Sequence, residues 1–586
     1  MEKRAIIAII LTFLVIMLWG TIQSKFFPSA PTKEVKKEEV APAEKVVEKK
    51  IDIKETKPQL QKEAELLSKT KVVPKKEVSI ETQNYWAVFT SEDARLKHFK
   101  LKKYEDRVEE SALTVKLIQF FQELFTKKEE SKKPVLLDLV NTSEEEGLPL
   151  GISLITPLPS SSDGNWEVED VYGYIKDRHR LLSTGEKGEI TFIKNLENGL
   201  KVSKRYGFTS ENNTIDLEVE VQNNTSQEIS IQLGLQWIGR IELRKLADEG
   251  NKDYGLKYAF FKNQKVETKD LGGTGSSGCT PGCSTPKKHI EPFEFSDKGE
   301  IGWYAFKGEY FTTLLIPSPS EKNLTLSVKG NEKNILKTDV ISSSIVIPPK
   351  QAVKIPYRIY LGPKDENQLK ALGVGAEKLV DFGFFTVVAK PLLWFLRLTH
   401  HVTKNFGIDI ILLSILIKII FLPLTQISFK SMKEMQKVQP EMARLKETYK
   451  NDKARLQQET MLLYKRRKIN PMSGCLPMLI QIPVFIALYN ALQFTIEMRH
   501  APFFFWIKDL AAKDPIYITP LIMGATMVIQ QKMTPTAADP AQAKLFMLMP
   551  IMFTFLFLNF PSGLVIYWLI NNVLSIAHQY YMNKKV

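Results

Sequence analysis

The sequence predicts a multi-domain protein: a C-terminal α-helical transmembrane bundle of five core helices plus one N-terminal anchor helix, with an all-β domain between them. Three observations predict it. Uncharged apolar segments occur once at the N-terminus and repeatedly in residues 407–586. Residues 78–361 instead alternate apolar and polar side chains with a period of two, the mark of half-buried antiparallel strands. The net charge of +14 is uneven: residues 1–4 with 381–586 hold 25 Lys/Arg against 12 Asp/Glu, or +13, leaving +1 for the rest. Basic residues between apolar segments set membrane orientation; they are not the stripe of a nucleic-acid groove.

Residues 1–27 hold the first apolar run, 5–22, preceded by Lys3 and Arg4. No Cys follows it, and Pro31 after Ser29-Ala30 disfavours cleavage, so an uncleaved anchor with a cytoplasmic N-terminus is expected. Residues 28–77 mix Lys, Glu, Pro and Val, a composition that buries too little apolar surface to order itself; a periplasmic tether is expected. The β domain follows, over 78–363. Ile215, Leu217, Val219 and Val221 alternate with acidic residues; Ile229 to Trp237 and Val353 to Leu361 repeat the pattern, as in a large sandwich. The Gly/Ser/Thr/Pro stretch 272–288 reads as a surface insertion. Residues 364–406 turn helical. There Phe382, Phe385, Val388, Leu392, Phe395 and Leu396 recur at spacings of three and four, as in an amphipathic helix lying in the membrane interface or packed on the sandwich.

Residues 407–586 carry spans near 408–424, 475–494, 516–529, 545–560 and 563–581. With the anchor these make six, which puts both chain ends in the cytoplasm and the β domain in the periplasm. The loop 429–475 has twelve Lys/Arg and five Asp/Glu and is expected inside; 495–515 has three of each and can face outward. The fourth and fifth spans, of about 14 and 16 residues, are shorter than the roughly 20 a bilayer requires, and short helices thin it locally.

The chemistry points away from enzymes. Three cysteines are too few for a disulfide framework or a structural zinc site; Cys279 and Cys283 flank a turn and are either paired or free. No Gly-x-x-x-x-Gly-Lys-Ser/Thr loop is present, so no nucleotide is expected, and no cofactor or small-molecule substrate is implied. Sugar chemistry in the β domain requires a His and carboxylate set, and its only histidines, His98, His179 and His289, are scattered in sequence.

Lys418 is the most informative residue. It falls about midway along the second span, where a Lys costs roughly 2.5–3.5 kcal/mol unless it faces a polar cavity. Ser414 and Thr425 share its helical face at spacings of four and seven. Thr519, Thr526 and Gln530 line one face of the fourth span; Tyr567, Asn571 and His578 one face of the sixth; Gln481 interrupts the third. Together these predict a hydrated groove around one ammonium, the alternative being ordinary interhelical hydrogen bonding. In 429–474 a helical hairpin is expected, turning at Asn451-Asp452. Its Met432, Met435 and Met442 suit either contact with varied apolar clients or the seam between the two helices. The cluster Lys465-Arg466-Arg467-Lys468 suits anionic lipid, ribosomal RNA or topology control.

The C-terminal part resembles the YidC insertase family. The stretches that carry this are Phe421-Leu422-Pro423-Leu424-Thr425, Asn470-Pro471 through Cys475-Leu476-Pro477, Gln481-Ile482-Pro483, Ala487-Leu488-Tyr489, Gln531-Lys532-Met533-Thr534-Pro535 and Phe560-Pro561-Ser562-Gly563-Leu564, then Tyr567 and Asn571-Asn572. Gly302-Trp303-Tyr304 through Tyr310-Phe311 and Pro317 is similar to the family's periplasmic domain. The resemblance implies a periplasmic β-supersandwich like that of sugar mutarotases. It also implies insertion and folding of nascent membrane proteins in the lipid bilayer, alone or with the Sec translocon and ribosome, through a groove with one positive charge. In bacterial members that charge is usually Arg; Lys418 takes the matching place, without the planar fork. The rival readings are a transporter or channel, a sugar-modifying enzyme and an envelope tether.

Overall fold

A computed structural model describes residues 74–109, 115, 133–156, 164–169, 179–240, 257–269, 292–319, 321, 323–467, 476–533 and 540–585. The expected anchor, nearly all of the tether, the 272–288 insertion with its two cysteines, and the Asn470-Pro471 helix stop lie outside these residues.

The β domain is built from sheets that are antiparallel except where Glu77–Glu81 pairs in parallel with His179–Leu181, in the expected sandwich. A nine-stranded sheet has at its centre strands Phe311–Pro317, Ala352–Pro363, Thr214–Asn223 and Leu200–Thr209. A six-stranded sheet is organised on Ile229–Arg240, and a five-stranded one on Tyr85–Thr90 and Arg95–Glu105. The period-two alternation explains the layering. Ile215, Leu217, Val219 and Val221 point into one large core with Leu233, Leu235 and Trp237. Their polar neighbours form ladders on the other face, where Asp216 opposes Arg358 in register and accepts from its Nε at 2.9 Å. On a second face Trp303 stacks on Phe261 with centroids 5.5 Å apart and donates its indole N–H to the Val374 carbonyl, 3.1 Å away.

Ten α-helices follow among the described residues: α1 (Glu366–Ala371), α2 (Thr386–Thr403), α3 (Phe406–Ile420), α4 (Leu422–Lys437), α5 (Gln439–Thr448), α6 (Lys453–Arg466), α7 (Leu476–Phe494), α8 (Ile518–Met533), α9 (Pro540–Phe557) and α10 (Ser562–Lys585). The α2 helix buries Ala389, Leu393 and Leu396, with Ala389 and Leu393 packed beside Ala487 and Ala491 of α7. Its opposite side leaves Val387, Trp394, Leu398 and Val402 exposed, so it lies on the helix bundle rather than on the sandwich.

The second expected span differs from the reading above. It is not one helix over 408–424: α3 ends at Ile420, and α4 departs at 60°. Pro423 explains the break. Proline lacks an N–H and is tolerated in the first turn of a new helix, where Pro423 sits, but not in a helix interior. Among the described residues no single helix is long and apolar enough to cross a membrane; the bent pair α3–α4 passes that test jointly.

Charged contacts join the two parts. Arg499, in the loop after α7, donates to the Glu105 carbonyl at 2.7 Å and lies over the Phe311 ring, while Ile496 enters the β-domain core. Within the helical part, Arg397 of α2 pairs with Glu497 of the same loop at 2.7 Å.

Candidate functional site: a polar path inside the helix bundle

The bundle core is apolar, with Ile410, Leu413, Ile417, Leu488, Leu492 and Tyr567 fully or nearly fully buried. A connected set of polar groups crosses it. The Lys418 ammonium, in the last turn of α3, donates to Ser575 Oγ of α10 at 2.6 Å. That hydroxyl donates to the Asn571 carbonyl one turn back, at 2.7 Å. The Asn571 amide donates to the Tyr567 carbonyl at 2.9 Å, and the Tyr567 hydroxyl accepts from Gln481 of α7. On the adjoining side Asn572 donates to Thr526 Oγ1 of α8 at 3.2 Å, and Thr526 donates to the Met523 carbonyl at 2.6 Å. Helical spacing places these groups: Tyr567, Asn571, Ser575 and His578 sit four, four and three apart, on one face of α10.

The path joins four helices, and the short distance between α8 and α9 depends on a missing side chain. A Cβ on Gly524 would run into the Thr554 side chain of α9. Around the path the outer surfaces are apolar: Ile419, Ile420, Leu521, Met547, Ile551 and Phe555 are all exposed. Such continuous apolar surface suits lipid tails, not water.

Several groups expected in the groove lie elsewhere or are committed to backbone. Ser414 is fully buried and donates to the Ile410 carbonyl at 2.7 Å. Thr425 stands beyond the α3–α4 break and donates to the Phe421 carbonyl at 2.8 Å, so the expected straight stripe of Ser414, Lys418 and Thr425 is interrupted. Thr519 belongs to the start of α8, where its hydroxyl and backbone N–H both donate to the buried Asp514 carboxylate, at 2.6 and 2.8 Å. Gln530 is half-buried one turn beyond Thr526. In the hairpin, Asp452 caps α6 by accepting from the Arg455 N–H at 3.0 Å. Met435 and Met442 pack with Val438, Leu445, Leu463 and Tyr464 in the seam between its arms, and Met432 is half-buried on α4.

Periodicity alone gives Ser575 and Asn572 no place in the groove, although Ser575 is four residues after Asn571 and Asn572 four after Trp568 on a mostly apolar helix. It also passes over Asp409, fully buried at the start of α3, which accepts from Thr403 Oγ1 at 2.6 Å and faces His400 Nδ1 at 3.0 Å. In the β domain, His98 Nδ1 lies 2.7 Å from Asp138. Among the described residues no group of three or more His, Cys, Asp or Glu side chains is arranged to hold a metal ion.

Comparison with known proteins covers both parts. The family model of the YidC periplasmic domain matches residues 77–395, and that of the 60Kd inner membrane protein matches 398–586. A relative from Syntrophus aciditrophicus (strain SB), named membrane protein insertase YidC, is 43% identical over 511 residues, covering 87% of this chain and 85% of its own. One of the same name from Geotalea uraniireducens (strain Rf4) is 38% identical over 595 residues, covering all of both chains. A crystal structure of an active YidC insertase with its first transmembrane domain resolved shares 19% identity, covers 87% of this chain and 93% of its own, and has a TM-score of 0.36. Two family models that together span the β domain and the helix bundle, and a full-length relative of more than a third identity, place this chain in the YidC family of inner-membrane insertases.

Proposed function

We propose that this chain inserts and folds newly synthesised proteins in the inner membrane through a hydrophilic groove centred on the Lys418 ammonium. The observation that carries this is the polar path Lys418–Ser575–Asn571–Tyr567–Gln481 within an otherwise apolar bundle. Stripping hydration from a polar group costs roughly 2–7 kcal/mol when nothing replaces it. A client's hydrophilic segment entering beside these groups recovers part of that loss, and an acidic one gains attraction to Lys418. Its apolar helix then moves along the greasy outer faces of α3, α8 and α9 into lipid, driven by about 25 cal/mol per Å² of apolar surface removed from water.

In this reading both chain ends face the cytoplasm and the β domain faces the periplasm. Ser414, Thr425 and Thr519 serve the groove indirectly, through helix ends and backbone, while Gln481, Thr526, Gln530, Tyr567 and Asn571 line it. The hairpin, with Met432, Met435 and Met442, meets nascent chains from the ribosome, and the Sec translocon is a partner for larger clients. Solvation does the work, so no nucleotide, cofactor or small-molecule substrate enters, and no residue acts as a catalyst.

The test replaces Lys418 with Ala and with Arg and follows an acid-tailed client into vesicles. Losing one hydrogen bond to a charged group, about 1.5–3 kcal/mol, lowers insertion about tenfold or more in the Ala variant. The Arg variant retains it. Unchanged insertion by Lys418→Ala removes the charge from the mechanism.

A further inference from the structure

The loop after α7 carries an aromatic turn that the polar path does not use. Phe503-Phe504-Phe505-Trp506 closes tightly: the Phe503 N–H donates to the Ile507 carbonyl at 3.0 Å, and the Ile507 N–H to the Phe504 carbonyl at 3.2 Å. The first and last of the four rings are held by the bundle. Phe503 packs on the bundle core against Gly407, at the start of α3, where a Cβ would strike its ring. Its carbonyl accepts from Asn405 Nδ2 at 3.5 Å. Trp506 donates its indole N–H to the buried Asp514 carboxylate at 3.1 Å. The two middle rings are left outside: Phe504 is 49% and Phe505 85% exposed. Phe504 rests on Phe503 and Phe505 on Trp506, with centroids 4.6 and 5.9 Å apart. Phe505 moreover holds a φ of 57°, in the left-handed region that bulky side chains rarely enter. A fixed turn, strained at its tip, thus presents two aromatic rings that little else in the described residues covers.

We propose that this turn is a membrane anchor, which seats Phe504 and Phe505 in the lipid interface of the leaflet on the β-domain side. Its place in the fold gives the side, because the same loop holds Arg499 against the Glu105 carbonyl of the β domain. Two observations favour lipid over a protein partner. The turn adjoins the corner between α2 and α3, where Leu398 and Val402 are also exposed, so it extends the apolar outer surface of the bundle. Lys404, exposed at that corner, and Lys508, three residues beyond Phe505, have no side-chain partner among the described residues. Aromatic rings flanked by free ammonium groups match the chemistry of a membrane interface, where rings sit among the headgroups and Lys meets anionic lipid. The anchor also sets a depth. Phe503 and Asn405 tie the turn to the start of α3, and α3 is one unbroken helix from Phe406 to Ile420, so the level of the tip fixes the level of Lys418.

The experiment replaces Phe505, and separately Phe504, with the photoreactive p-benzoylphenylalanine in the full chain. The protein is reconstituted in vesicles of phosphatidylethanolamine and phosphatidylglycerol, irradiated, and its adducts identified by mass spectrometry. The same probe at Ile551, exposed on α9, reports a lipid-facing position; at Val346, exposed on the β domain, it reports a water-facing one. Both loop positions are expected to give lipid adducts about tenfold or more above Val346, the partition that burial of one Phe side chain supports. Adducts to a second copy of the chain, or a yield no higher than at Val346, overturn the anchor. If Ile551 gives lipid adducts and the loop positions do not, the anchor fails and the place of the bundle in the bilayer stands. If none of the three does, both fail.

Discussion

Lys204 is a fully buried lysine in the β domain, and its replacement by Met is a sharp test of how that domain is held. Its side-chain nitrogen donates to the Ala94 and Leu150 carbonyls at 2.5 and 2.6 Å, with the Asp93 carbonyl at 3.3 Å. These acceptors lie where the backbone is strained: Asp93, Ala94 and Leu150 have φ of 55°, 48° and 65°. The Trp166 and Tyr206 rings flank the nitrogen with centroids 5.7 and 5.5 Å away. Met fills nearly the same space but donates nothing. Ala94 keeps a partner in the Tyr206 hydroxyl at 2.8 Å, whereas the Leu150 carbonyl loses its lysine. Two hydrogen bonds at about 1 kcal/mol each, plus part of the 1–3 kcal/mol penalty for an unpaired buried carbonyl, give a loss of about 2–4 kcal/mol. At about 2–4 °C per kcal/mol, the midpoint falls by roughly 5–15 °C.

The same residue gives this loss a pH dependence. Burial, reinforced by the nearby Arg95 charge and opposed by Asp93, holds the Lys204 pKa well below 10.5. Between that lowered pKa and 10.5 the unfolded chain holds the proton more fully than the folded domain does, so stability rises with pH over that window, by about 1.4 kcal/mol per unit at most. The Met variant lacks this slope. Thermal unfolding of the full chain in detergent, with the β-domain transition followed by circular dichroism, should show the gap between the two proteins widening as pH rises from about 7 to 10. A gap that stays constant over that range refutes the argument that burial lowers the Lys204 pKa.

Two further outcomes follow from the loop after α7. Arg499→Ala removes the donation to Glu105 and the stacking on Phe311, together about 1–3 kcal/mol, so hydrogen exchange in 495–517 should accelerate about tenfold while the distant strands keep their protection. Unchanged exchange there means the arginine does not tie the β domain to the bundle. In the same loop burial raises the Asp509 pKa to about 6, against backbone donors from Ala511 and His500. The folded state then holds a proton that the unfolded chain has released, so this residue's effect is absent below about pH 4 and destabilising above 6. Asp509→Asn should stabilise the chain by on the order of 2–3 kcal/mol at pH 7.5, with the difference closing as pH falls to 4; a variant less stable than the parent at pH 7.5 refutes this.

Much of the architecture is legible in local patterns because those patterns are local physics. The alternation at Ile215–Val221 returns as the strand Thr214–Asn223, with its apolar residues in the core. Asn451-Asp452 returns as the turn that caps α6, because an Asp side chain satisfies a free N–H at a helix start. The importance of Lys418 is likewise readable, since a charge in an apolar run always demands a partner. Which partner it has is not readable: Ser575 lies 157 positions away and enters only because α10 packs along α3. Hydroxyls are the other blind spot. Ser414 and Thr425 repeat with helical spacing, yet each satisfies the carbonyl four residues earlier, an option that spacing cannot distinguish from a groove. Thr519 is drawn instead to Asp514 at the start of α8. Periodicity determines which face of an element is apolar, and residue type determines what chemistry each group must satisfy. Only the packing of helices distant in sequence decides which groups satisfy one another.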